Sequence, residues 1–335
     1  MFSQSRSVRA FAVGALLVLG LTTGGVGHAQ ETRLRVNVFP VSSNLAMYWA
    51  IDKGLFAKRG LVIEVQNTPN SGQQRAGLAE GKFEIAHAAV DNAVAMIETA
   101  KQDAVIVMGG DGGLNELLVR GEINSFADIR GKVLAVDAPN TAYALVAKKI
   151  LKNNGLLENR DYTVREVGGT AQRSAAMAKD PMLAAGMVNP PFSFTVKEQG
   201  LKSMGRAYDL IGPYQASGAF VMRSWAAANP ALLERYIASY VEGVRAVMDP
   251  ANRTAALEVL MQRFKLSPQI AEQTYAALMT PGFGLHRDAR VDMDGFARVL
   301  SLRAEIEGQW GGTAPAPGKF LDLGYYERAM GQIGK

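Results

Sequence analysis

The chain has 335 residues, with 36 Lys and Arg against 31 Asp and Glu, a formal net charge of +5, three His and no Cys. So small an excess of base, with no long run of Lys or Arg, leaves no nucleic-acid footprint. Without Cys there is no thiol catalysis, no Cys-ligated metal, no disulfide and no lipid anchor on an N-terminal Cys.

In chain order the first feature is a leader. Arg6 and Arg9 precede an apolar run from Ala10 to Leu21, and small residues follow to Gly27-His28-Ala29. A basic start, a short apolar stretch and a small-residue cut site read as a secretory signal peptide cleaved near Ala29. The run of about 12 residues is shorter than the roughly 20 that cross a bilayer. The expectation is an exported, soluble chain that is not membrane-anchored. It keeps about 306 residues and a formal charge of +3, enough for two domains.

Strands are expected at 34–39, 61–65, 83–86 and 104–108, alternating with helices at 44–53, 72–79 and 92–99. Leu45, Tyr48 and Trp49 share a face of the first helix, and Gly54 stops it. The pattern restarts with strands at 132–136, 162–166, 183–188 and 202–204 and helices at 141–152, 170–178 and 192–199. Such alternation predicts mostly parallel sheets covered by helices. The extended apolar stretches 115–120 and 216–222 read as strands crossing between the two units. Beyond Ser224 the chain turns helical, with Asn229-Pro230 opening a helix toward Met248, a helix near 254–264 and another opened by Ser267-Pro268. Residues 311–317 read as a loop before a short last helix.

Three segments carry a family resemblance. They are residues 46–65 (AMYWAIDKGLFAKRGLVIEV), 77–86 (GLAEGKFEIA, with Glu84 where Asp is commoner) and 124–136 (NSFADIRGKVLAV). In this order and spacing the chain resembles a periplasmic solute-binding protein of an ABC importer, of the nitrate/sulfonate/taurine type that includes thiamine-pyrimidine-precursor binders. The segment 178–192 (AKDPMLAAGMVNPPF) departs from the family's usual Gly-x-Val-Asp-Ala. The resemblance implies an α/β, two-lobed periplasmic binding protein fold, two doubly wound domains joined by two crossover strands. Residues 30–118 with 218–335 would form lobe 1, and 119–217 lobe 2. It implies a monomer that delivers a small-molecule ligand to a membrane permease and its ATPase.

In open α/β sheets ligands bind beyond the carboxyl ends of the strands. That rule selects Ser42, Ser43 and Asn44 after the first strand, and Gly72, Gln73 and Gln74 at the second helix, where an N-terminus favours an anion. It selects Asp91 and Asn92, each a helix cap or a ligand acceptor. In the second unit it selects Asn140, Thr141 and Tyr143, then Thr170, Asn189 and, near the second crossing, Tyr214. Arg75 is either a solvated side chain or a partner for a carboxylate or sulfonate. No catalytic residue, metal or cofactor is expected: His87 and His286 stand far apart, no metal-ligand spacing occurs, and there is no Gly-x-Ser-x-Gly elbow. The expected function is capture of a small organic anion, a sulfonate or carboxylate, with an aromatic ring permitted by the neighbouring tyrosines. The alternatives are an exported enzyme of the same superfamily acting on a pyrimidine or aromatic acid, or a sensory partner that presents its ligand to a receptor.

Overall fold

The structure, a computed structural model, describes Met1 and residues 31–334, so the leader and its cut site near Ala29 lie outside the described residues. The first half runs β1 (Thr32–Val38), α1 (Leu45–Asp52), β2 (Leu61–Asn67), α2 (Ser71–Ala79), β3 (Ile85–Ala89), α3 (Asp91–Glu98) and β4 (Ala104–Gly109). The chain then crosses over. It continues through β5 (Glu116–Val119), β6 (Lys132–Val136), α4 (Ala142–Asn153), β7 (Tyr162–Glu166), α5 (Thr170–Lys179), β8 (Leu183–Val188), α6 (Phe192–Glu198), β9 (Lys202–Arg206) and α7 (Ala207–Ile211). It returns in β10 (Ser217–Met222) and finishes helical: α8 (Arg223–Ala228), α9 (Pro230–Met248), α10 (Arg253–Phe264), α11 (Pro268–Leu278), α12 (Met293–Glu307) and α13 (Gly324–Met330).

Two five-stranded sheets result, ordered β2-β1-β3-β10-β4 and β7-β6-β8-β5-β9. Within each, the first three strands are parallel. The strand that enters from the other sheet, β10 or β5, is antiparallel to both its neighbours. The sheets are therefore mixed rather than mostly parallel, because a crossing strand arrives from the opposite end. β3, β4 and β8 are buried along their whole length, which is why they read as continuous apolar runs. β3 sits two to three residues beyond its expected position because Ala88 and Ala89 continue the ladder to β10.

On the first sheet α9 buries Leu233, Tyr236, Ile237, Tyr240, Val241, Val244 and Val247 along one face. It crosses α1 at Gly243, where an added Cβ would lie 2.6 Å from Ala46 O and 2.9 Å from Ala50 Cβ. Glu84 pairs with Arg35 and accepts its backbone N–H at 2.7 Å, tying the start of β3 to β1. α12 went unread in the sequence. It starts on an Asp292 cap, whose Oδ1 accepts from Asp294 N and Gly295 N at 3.1 Å, and it packs against α4. No described helix is long and apolar enough to cross a membrane.

Gly243→Ala is expected to lower unfolding stability by about 1–3 kcal/mol through overpacking, read by urea denaturation. Gly331→Ala, at φ −66° with no contact closer than 3.4 Å, is the control. An unchanged Gly243→Ala would show that α9 does not seat on α1 this closely.

Candidate functional site

A cavity lies where the carboxyl ends of the two sheets face each other. Its walls come from the segments after β1 and β3 in one sheet and after β6, β7 and β8 in the other. The order of each sheet reverses at those strands, β1/β3 and β6/β8, the switch points where ligands bind in such folds. The cavity has a volume of about 70 Å³. Phe39, Leu114, Val136 and Met187 make much of the wall apolar.

The second sheet supplies one cationic side chain. Arg173 is 2% exposed and lines the cavity from the first turn of α5. Nε and Nη2 donate to Met187 O at 2.9 and 2.7 Å, Nη1 to Gly168 O at 2.7 Å, and Nη2 to Thr170 Oγ1 at 3.3 Å. All three acceptors are neutral, and no described carboxylate lies within ion-pair distance. A guanidinium has five N–H donors, so one stays free. Burial pulls the Arg173 pKa below the ordinary arginine value, with the Asp137 charge opposing. Helix α5 carries no side-chain cap, and its start, Gly169 and Thr170, is in the wall, so first-turn N–H groups remain for a ligand there. Thr170 and Asn189 join Arg173 in the wall, and the buried Oδ1 of Asn189 has no partner. Sequence reading selected Thr170 and Asn189 but missed Arg173. Three residues into a helix it looks like any amphipathic arginine, and the cue was its place one turn from the glycine pair 168–169.

The other expected anion sites are already filled, and each by the opposite lobe. Asp137, after β6, accepts from Ser71 N at 3.1 Å and from Ser71 Oγ, closing the N-terminus of α2. Asn70 Oδ1 accepts from Gln73 N at 2.8 Å, and Gln74 Nε2 donates to Asn37 Oδ1 at 3.0 Å. Gly72, Gln73 and Gln74 are not in the cavity wall, and the Gln73 N–H and the Gln74 amide are engaged by the fold. In the converse direction Asp91, after β3, accepts from Ala142 N at the start of α4 and pairs with Arg303 of α12, Nη2 to Oδ2 at 2.9 Å. Asp91 and Arg303 are each 1% exposed. Asp91 is therefore a structural cap and ion-pair partner rather than part of the cavity wall. Asn140 also stays outside; its carbonyl accepts from Arg303 Nη2 at 3.1 Å. Ser42 is buried and donates to Pro190 O at 2.8 Å, joining the lobes through the altered 178–192 segment. Tyr214 is buried beside Tyr143, ring centroids 6.5 Å apart, and does not reach the wall. Arg75 likewise lies outside it.

Ser43, Asn44, Asn92, Thr141 and Tyr143 do line the cavity with Thr170 and Asn189. Asn92 Nδ2 donates to Ser71 Oγ at 3.2 Å, while its buried Oδ1 is unpartnered. The first sheet adds residues that sequence reading did not choose: Asp111, Ser217, Tyr240 and His87. Asp111 is 2% exposed and accepts from Gly113 N at 2.8 Å and from Ser217 Oγ. Burial raises its pKa against those bonds. His87 shares a 2.7 Å hydrogen bond with Tyr236 Oη and packs on the Tyr240 ring. Burial pushes its pKa down to about 3, so the imidazole is neutral at working pH. Among the described residues no group of three His, Asp or Glu is placed to hold a metal.

A model of the NMT1-like family matches residues 27–261. No curated protein matches the chain by sequence. The fold is similar to that of the periplasmic nitrate-binding protein NrtA from Synechocystis PCC 6803, at 15% identity over 90% of this chain and 89% of that one, TM-score 0.74. It is similar to the alkanesulfonate-binding protein SsuA from Xanthomonas axonopodis pv. citri bound to MOPS, at 17% identity over 90% and 98%, TM-score 0.68. The desulfurization enzyme DSZB shares it too, at 14% identity over 90% and 99%, TM-score 0.62. At such identities the likeness is one of fold, the two-lobed periplasmic binding protein fold.

The neutral His87 sets a pH response. Unfolded, it takes up a proton below about pH 6.5; folded, it does so only near pH 3. Stability it contributes near neutrality is therefore lost as pH falls between those values, at up to about 1.4 kcal/mol per pH unit. Denaturation from pH 7 to pH 4 should show a shallower decline in His87→Phe than in the parent chain. Equal slopes would mean that His87 is not buried neutral.

Proposed function

The chain belongs to the NMT1-like family, and from that premise we propose that it is the solute-binding component of an ABC import system. It works in the periplasm after losing its leader, as a monomer that hands its ligand to a membrane permease served by an ATPase. Residues 30–118 with 218–335 act as one lobe and 119–217 as the other. The ligand is a small organic anion, a carboxylate or sulfonate, held between them.

One observation carries this reading: Arg173 is a buried guanidinium with no carboxylate within ion-pair distance among the described residues, set at an uncapped helix start in the wall of an interlobe cavity. A buried charge is costly unless paired. An anion at this place supplies the pair and meets the free Nη1–H, the Thr170 hydroxyl and the α5 N–H groups. Since these donors sit on one lobe while Ser43, Asn44 and Asn92 face them from the other, a bound anion touches both lobes only when the cleft is shut. It then binds the closed state better and shifts the open–closed equilibrium toward it. We read the cleft as a binding site and not as an active centre, because the imidazole in it, His87, is engaged by Tyr236 and stays neutral.

The test is a thermal-shift screen of the mature chain against aliphatic and aromatic carboxylates, sulfonates, nitrate and pyrimidines. A ligand at 100 times its Kd adds about 2.7 kcal/mol of stability, and small-angle scattering should show compaction with it. Arg173→Met should weaken binding by about 3 kcal/mol, two orders of magnitude. A panel without a single anionic hit, or a hit that Arg173→Met binds as tightly, would overturn the reading.

A further inference from the structure

The cavity holds a second buried charge that an anion alone leaves unanswered. Asp111 is 2% exposed on the first-sheet side. Its hydrogen-bond donors, Gly113 N and Ser217 Oγ, are neutral; no described Lys, Arg or His lies within ion-pair distance of it, and His286 opposes the burial of its charge only from farther off. Arg173, across the cavity, is in the same position with the opposite sign. The two do not pair with each other. Tyr143 shares the wall with both; burial raises the pKa of its hydroxyl, the Asp111 charge adds to that and the Arg173 charge opposes it. Of the other charged wall residue, Asp137, the carboxylate is taken up by Ser71. The wall offers further acceptor capacity, since the buried Oδ1 of Asn92 is unpartnered.

We propose that the ligand is a small zwitterion: a carboxylate held at Arg173, Thr170 and the start of α5, with a protonated amine held at Asp111. A carboxylate can accept up to about four hydrogen bonds, and Asp111 has used two, so its remaining lone pairs are open to an ammonium. One ligand of this kind neutralises both buried charges at once, each by the group of opposite sign. A simple carboxylate relieves Arg173 but brings a negative group into a cavity that already holds Asp111. Asp111 is thus the residue that sets specificity for the amine. This inference rests on the reading of the cleft as a small-anion site.

The experiment uses matched pairs on the mature chain: β-alanine against propionate, and γ-aminobutyrate against butyrate, with 3-hydroxypropionate as an uncharged-donor intermediate. Titration calorimetry should show at least one amino acid binding tenfold or more tighter than its des-amino partner, with the hydroxy acid between them. Asp111→Asn, which keeps an acceptor for Gly113 N, should bring the pair within about twofold, while Arg173→Met loses both members. The wild-type ranking stands as a test even where Asp111→Asn fails to fold. Equal or tighter binding of the des-amino acid, or a preference that survives in Asp111→Asn, would overturn the proposal. If neither pair binds but other anions do, the zwitterion falls and the anion-binding reading stands; if no anion binds, both fall.

Discussion

The buried ion pair between Asp91 and Arg303 is the contact on which the cleft depends. It joins three elements far apart in sequence: the start of α3, the start of α4 and the end of α12. Burial works against the charge on Arg303, but Asp91 outweighs it and holds the Arg303 pKa above its ordinary value. A pair of this kind adds little over an apolar substitute, yet losing one partner leaves an uncompensated buried charge at a cost of about 3–5 kcal/mol. What it gives here is position. With Asp91 on Ala142 N and Arg303 on Asn140 O, the loop that carries Thr141 and Tyr143 into the cavity is fixed from both ends. Lys149 and Glu305, 2.7 Å apart, continue the same α4–α12 seam at the surface.

Asp137 does for α2 what Asp91 does for α4, so each lobe lends a carboxylate to a helix start of the other. The exchange has a chemical consequence. The starts of α2 and α4 are thus filled by the protein's own anions. The start of α5 has no such partner and instead has Arg173 one turn in.

This explains where sequence reading succeeded. Strand and helix order was legible because each element carries its own period: the buried runs of β4 and β8, the α9 stripe, the caps at Ser267 and Asn229-Pro230. The strand-end rule then picked loops that line the cavity. What it could not show is which polar group in a loop is spent on the fold. Gln74 and Asp91 are polar side chains near strand ends, as Asn189 and Asn92 are, and partners 37, 51 and 212 residues away set them apart. Arg173 and α12 were missed for the opposite reason. Their local signals were present, an arginine beside a Gly-Gly helix start and an Asp292 cap with a closing Gly308, but neither is distinctive until the tertiary contact gives it a role.

Among the described residues, Arg173 and Asp111 are buried charged side chains without an ion-pair partner, and in this they differ from the rest of the buried polar set. Asp91 has Arg303, Lys148 has Glu158 at 2.9 Å, and His87 avoids the problem by staying neutral. A chain selected only for stability would have neutralised the remaining two or brought them together, since folded proteins seldom leave a buried charge unpaired. Exceptions of this sort are expected at functional sites, where a local rule is broken for a gain made elsewhere. The gain is made when a ligand enters: the energy withheld from the empty cleft becomes available to whatever supplies the missing charges, and the more closely a ligand matches both, the more firmly it holds the lobes together.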